Sequence, residues 1–178
     1  MSYLHSFLPH RPPFLMVDSI TGYSSDQKPT LTAEKYIKAD EAVFAHSEGP
    51  FVWPAVYLIE GAAQCAGILS YLQIALKNNE DPEKMLATII ASYQNDTIKT
   101  RDTIYGNSEF NVFSGSSKTG MLSMLDVQIF HTVSSGSLVS YQVIKNSTFK
   151  GQSQFDIEVF SQEKLVLEGR IFATHSLT

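Results

Sequence analysis

One stretch breaks the ordinary mixture of apolar and polar positions along this chain. From Pro54 to Leu76, PAVYLIEGAAQCAGILSYLQIAL, almost every residue is apolar or small, and Pro54 stands where a first-turn proline precedes good helix formers. The pattern predicts a long buried helix over 54–76. Its length would also cross a bilayer, but Glu60, Gln64 and Gln73 lie inside it, and a carboxylate in hydrocarbon is costly. A membrane span is therefore set aside in favour of a core helix.

Around that helix the chain alternates. Leu31, Ala33, Lys35 and Ile37 share one face of TLTAEKYIK, and Phe155, Ile157 and Val159 share one face of FDIEVF, the signature of half-buried strands. Ser161 to Lys164 reads as a four-residue polar turn leading into LVLEGRIFA (Leu165 to Ala173), which completes a hairpin. Further strands are expected over 14–21, 122–133 and 138–144. Two strands, one long helix and then a run of strands predict an α+β domain with an antiparallel sheet wrapped around a central helix.

Between Asn78 and Gly120 this rhythm is lost. Asp81 and Pro82 form a cap and first-turn pair, and Met85, Leu86, Ile89, Ile90 and Tyr93 recur at helical spacing, so a short amphipathic helix is expected there. The polar, turn-rich stretch over 95–120 is assigned no element.

Composition narrows the class. A length of 178 residues fits a single domain, and 43% apolar against 17% charged residues exclude a disordered chain. The net charge of -5, with no basic run, is the wrong footprint for nucleic acid. The one cysteine, Cys65, excludes an internal disulfide and any zinc site built on two thiolates. No two histidines stand four apart and no HExxH pattern occurs, so no metal is expected. Pro9, Pro12 and Pro13 interrupt the opening residues, where no leader is read, and the protein is expected in the cytoplasm.

Two residue types could carry chemistry. Glu60 and Gln64, four apart, project from one face of the apolar helix. Burial there would favour the protonated carboxyl and so a group able to donate a proton, although a structural core Glu is an equal reading. His46 lies in a turn-rich loop just before the helix, and an imidazole can act as a general base near neutral pH. Most loop histidines are incidental, and composition does not choose His46 over His5, His10, His131 or His175.

A family resemblance makes that choice. LPHRPPFLMVD (Leu8 to Asp18) resembles the opening signature of the hotdog-fold 3-hydroxyacyl-[acyl-carrier-protein] dehydratases. His46, followed by Pro54 and then Glu60 in EGAAQCAG, is similar to the family's active-site loop and central helix, with Glu60 placing the chain in the Glu-bearing class rather than the Asp-bearing dehydratase-isomerases. Leu122 to Ala173 resembles the last strands of the fold. The likeness covers roughly 8–78 and 121–174, so the chain reads as a single hotdog domain over 1–178 with an apparent insertion at about 79–120.

The chain departs from the family around His46. Ala45 precedes it, and Ser47, Glu48, Gly49, Pro50 and Phe51 follow, so that of the usual run only Gly49 remains. Ala55 replaces the glycine after the helix-starting proline. Gln128, Phe130 and His131 stand where an arginine-rich strand helps receive the carrier protein.

The resemblance implies a homodimer or higher homo-oligomer in which the His of one chain meets the acid of another. His46 would take the α-proton of a 3-hydroxyacyl thioester and Glu60 would protonate the departing hydroxyl, leaving a trans-2-enoyl thioester without any cofactor. Ala55 would offer its N–H to the thioester oxygen, Gln64 would orient Glu60 or a water, and Trp53 would shape an acyl tunnel or simply pack. Lys99 and Arg101 would replace the missing arginines toward an acyl carrier protein. A hotdog thioesterase and a noncatalytic acyl-binding module are the rival readings. His10 is expected to be dispensable for turnover.

Overall fold

The computed structural model of the chain describes residues 3–46, 48–96 and 120–175. A 3₁₀ turn at Tyr3–Ser6 leads to strands β1 (Ser19–Ser24) and β2 (Thr30–Tyr36), then a second 3₁₀ turn at Ala42–Phe44 and the two-residue strand β3 (Val52–Trp53). Helix α1 runs over Ala55–Lys77 and α2 over Pro82–Asp96. Strands β4 (Gly120–Ile129), β5 (Val133–Ser134), β6 (Leu138–Phe149), β7 (Gln152–Ser161) and β8 (Lys164–His175) follow.

Six strands form one antiparallel sheet in the order β1-β2-β6-β7-β8-β4, and β3 pairs with β5 beside it. The sheet curves around α1, which packs chiefly on β6, β2 and β7. This is the hotdog arrangement, in which the alternation of each strand sends its apolar side to the helix. Leu31 and Ala33 of β2, Val139, Tyr141 and Val143 of β6, and Phe155, Ile157 and Val159 of β7 are all buried against Leu58, Ala62, Cys65, Leu69 and Leu72 of α1 in one apolar core. Cys65 is completely buried, which pushes its thiol far above the ordinary range and makes it a packing group rather than a nucleophile.

The close approach of α1 to β6 depends on one residue. At Gly61 a Cβ would run into the ring and hydroxyl of Tyr141, whose side chain is wholly buried. The polar residues that argued against a membrane span also find partners here: Gln73 Nε2 donates to the Tyr23 hydroxyl at 3.0 Å, and Gln64 is hydrogen-bonded throughout. By length and hydropathy α1 could cross a bilayer, yet more than half of its apolar window is buried within the fold.

Several sequence expectations change in detail. Pro54 caps α1 in an extended conformation instead of occupying its first turn, so the helix starts at Ala55. The strand expected over 14–21 begins only at Ser19, because the backbone of Phe14 and Met16 is bound by the Gln64 side chain in place of a neighbouring strand. The strand expected over 122–133 divides into β4 and β5 at Phe130 and His131, whose N–H groups both turn to the Val166 carbonyl, at 2.8 and 3.4 Å. α2 forms as its spacing requires. Asp81 Oδ1 accepts from the Glu83 and Lys84 N–H groups at 3.0 and 3.1 Å, and Ile89 is buried where the helix meets α1 and the first 3₁₀ turn. Lys99 and Arg101 lie outside the described residues.

The β7–β8 turn is shorter than the four polar residues suggested. Only Gln162 and Glu163 connect the strands, at φ 50° and 63°, the left-handed pair that a two-residue hairpin demands. For a residue with a Cβ this region costs about 1–2 kcal/mol. Glu163→Gly should therefore raise the midpoint of thermal unfolding by a few degrees, read by differential scanning calorimetry, with no change in activity.

Candidate active site

Helix α1 carries Glu60 and Gln64 one turn apart, and the segment before β1 closes over them. Gln64 is buried and its amide is fully used. Its Oε1 accepts the Met16 N–H at 2.9 Å, while its Nε2 donates to the Phe14 carbonyl at 2.8 Å and to Glu60 Oε1 at 2.9 Å. The backbone decides which way the amide faces, since Met16 can only donate and the Phe14 carbonyl can only accept. Gln64 therefore presents an N–H, and not its oxygen, to Glu60.

Glu60 is less enclosed than its apolar neighbours suggested. Its side chain is 40% exposed in the single chain, so the burial expected from composition is incomplete. Opposite Gln64, His10 Nε2 stands 3.5 Å from the same oxygen, Oε1. The loop that holds His10 is pinned by its neighbour: Arg11 Nη1 donates to the Leu8 and His10 carbonyls at 3.0 and 2.9 Å, and the Phe14 N–H returns to the Arg11 carbonyl at 2.8 Å. The opening motif thus works as a clamp on α1, through the His10 imidazole and the backbone of Phe14 and Met16.

His46 is placed differently. It follows the second 3₁₀ turn and is exposed, and among the described residues of one chain Glu60 is hydrogen-bonded to Gln64 and faces His10, with no hydrogen bond or ion pair to His46. The structure therefore brings Glu60 and Gln64 together within the chain and leaves His46 on the surface. His10, set among the incidental histidines on sequence grounds, joins the acid instead. That meeting spans fifty residues, and the only local signal was its membership of the motif on which the family likeness begins.

Ala55 opens α1, and no side chain caps this end or places an acid in its first turn. Uncapped first-turn N–H groups and the positive end of the helix dipole favour a negative oxygen there. Trp53 is buried beside them, edge-on to Phe44 and Tyr57 at 5.9 and 5.2 Å between ring centres, with Lys35 Nζ 5.6 Å from its own ring. Lys35, the inward-facing cation of β2, is held by Glu41 at 3.0 Å and Asp18 at 3.5 Å, carboxylates that offset the cost of burying its side chain. Phe14, Val43, Trp53 and Tyr57 line a cavity of about 160 Å³. Trp53 thus packs and forms a wall at once. The described residues hold no cluster of metal-ligating side chains.

Comparison with known proteins agrees with this architecture. The chain matches the FabA-like domain over residues 8–110, more than half of its length. It is 34% identical over 113 residues to the 3-hydroxyacyl-[acyl-carrier-protein] dehydratase FabZ of Chlamydia trachomatis serovar L2, covering 62% of this chain and 72% of that protein. The FabZ of Aeromonas hydrophila is 42% identical over 69 residues, 38% of this chain and 45% of that protein. Among solved structures, the dehydratase heterocomplex ApeI:P from Xenorhabdus doucetiae aligns over 97% of this chain and 90% of its own, with a TM-score of 0.60 at 16% identity, which shows the shared fold. The chain belongs to the FabA-like family of hotdog proteins.

Proposed function

We propose that the chain dehydrates a 3-hydroxyacyl thioester to a trans-2-enoyl thioester, in fatty-acid, polyene or polyketide-type synthesis. Membership of a family whose relatives are 3-hydroxyacyl-[acyl-carrier-protein] dehydratases supports the reaction class. The observation that carries it to this chain is the Gln64–Glu60 pair, an acid aimed by a buried amide whose own direction is dictated by the backbone.

In this reading Glu60 protonates the leaving 3-hydroxyl and His46 of a second copy removes the α-proton. The charge that builds on the thioester oxygen falls to the first-turn N–H groups of α1, Ala55 among them. The Ala55 methyl group narrows that approach without removing the donor. The cavity walled by Trp53 and Tyr57 lies one turn before Glu60 on α1 and would receive the acyl chain next to the reacting carbons.

A shared site needs a second chain, and the two edges of the sheet differ in a way that supports one. β1 ends the sheet with the polar sequence SITGYS, whereas β4, which has no second neighbour among the described residues, exposes Leu122, Met124, Leu125 and Ile129, with Phe130 just beyond it. An unpaired apolar edge is a template for another strand, and β4 joining β4 of a second copy would cover it. The carrier is read as an acyl carrier protein, the location as the cytoplasm, and 79–120 as an insertion in one domain over 1–178 whose α2 packs on the body.

Mass spectrometry of products from a panel of 3-hydroxyacyl thioesters tests the reaction. The expected product is the enoyl thioester formed by loss of one water, with the thiol still esterified. Release of free thiol would favour hydrolysis, and no turnover of any substrate would favour a binding module.

A further inference from the structure

We propose that His10 is a positioning residue for the acid, and that together with Gln64 it decides which oxygen of Glu60 delivers the proton. The proposal rests on the reading of Glu60 as the acid and extends it to a residue outside the expected pair.

Two groups converge on one oxygen of Glu60. Gln64 Nε2 donates to Glu60 Oε1 at 2.9 Å, and His10 Nε2 faces the same atom at 3.5 Å. Because the Gln64 amide cannot turn over without breaking its bonds to Met16 and Phe14, Oε1 is held as an acceptor. A bare lone pair on Nε2 would be repelled by that oxygen, so the tautomer that fits this contact has its proton on Nε2. Nδ1 is buried and has no hydrogen-bond partner among the described residues, so a proton there would be an unmet donor out of water. Both considerations select the same tautomer.

With Gln64 donating to Oε1 and the His10 ring nitrogen beside it, the carboxyl proton of the acid belongs on Oε2, which makes no hydrogen bond among the described residues. That oxygen is the one free to face a substrate hydroxyl. On dehydration the O–H bond of Glu60 breaks at Oε2, its proton leaves with the 3-hydroxyl as water, and the α-proton goes to the base, so protons balance. The carboxylate left behind still has the Gln64 N–H on Oε1 and the His10 ring beside it, which stabilise the charge as it forms. His10 can hold this place because Arg11 ties down the carbonyls of Leu8 and His10 in its loop.

The test uses the geometry of side-chain replacement. A glutamine amide nitrogen reaches about as far as the imidazole Nε2, whereas an asparagine amide falls short, near Nδ1. His10→Ala should lower kcat about 10–100-fold, the scale of a misplaced catalytic group, with KM within about twofold of wild type. His10→Gln should recover most of that loss and His10→Asn little of it, in proteins with equal thermal midpoints. Unchanged kcat in His10→Ala, a loss lying wholly in KM, or His10→Gln no better than His10→Asn would each overturn the proposal. Should the alanine variant fail to fold, the glutamine and asparagine pair alone decides it. Glu60→Gln, measured alongside, separates the two ideas: an active Glu60→Gln overturns the reading of the acid itself, whereas an inactive Glu60→Gln with a fully active His10→Ala overturns only the role of His10.

Discussion

Glu60→Gln is expected to lower turnover of a 3-hydroxyacyl thioester by about 10²–10⁴-fold, the usual contribution of a positioned general acid, while leaving the fold intact. The amide is the same size as the carboxyl and its oxygen can still accept from Gln64 Nε2, so the hydrogen bonds that tie α1 to Phe14 and Met16 survive. The side chain is 40% exposed and lies outside the apolar core. What disappears is an acidic proton at the reacting carbon. His46→Ala should cost a similar factor for the complementary reason, and because His46 is exposed in the chain it should leave stability unchanged. Steady-state kinetics paired with thermal unfolding check both. Near-wild-type turnover in either variant would remove that residue from the mechanism.

The second large effect is on stability. Gly61→Ala adds a single methyl group where α1 crosses Tyr141 of β6, and the collision is with a completely buried ring that has no space to yield. Overpacking of this kind costs about 1–3 kcal/mol and occasionally more, and the upper end is expected because helix and sheet must separate to relieve it. Urea unfolding should show a lower midpoint with an unchanged slope. Activity should fall as well, since Glu60 is the adjacent residue and moves with the helix. Tyr141→Leu lacks the ring atoms that the methyl meets, so the double variant should be less destabilised than the sum of the two changes. Strict additivity would contradict the contact as the cause.

These two residues also show how unevenly the structure was written in the sequence. α1 was legible because a run of apolar and small residues of that length has few alternatives, and β7 and β8 were legible because Phe155, Ile157 and Val159 alternate cleanly. Lys35 obeyed the same alternation and was placed inward by it. Its partners Asp18 and Glu41 were not foreseeable, because ion pairs obey no local period. The apolar run over 14–17 imitated a strand, and only the three-dimensional position of Gln64 shows why that backbone is bound by a side chain instead. The candidate site divides in the same way. Helical spacing put Glu60 and Gln64 on one face and the family likeness selected His46, but the approach of His10 to Glu60 is a tertiary event. The fine geometry of the β7–β8 turn escaped too, since neither Gln162 nor Glu163 is a residue that announces a left-handed backbone.

The central claim is a site completed by two copies of the chain, the acid from one and the base from the other, and complementation between inactive variants tests it most directly. His46→Ala and Glu60→Gln proteins would be prepared separately and then as a mixture in which subunits have exchanged, with the presence of mixed dimers confirmed by native mass spectrometry. In a mixed dimer one of the two sites draws Glu60 from the first variant and His46 from the second, so it regains both groups while the other site loses both. Dehydration of a 3-hydroxyacyl thioester that neither variant supports alone, appearing in step with the mixed dimer, is the predicted result. A mixture that contains mixed dimers and remains as inactive as its parents would contradict the shared site.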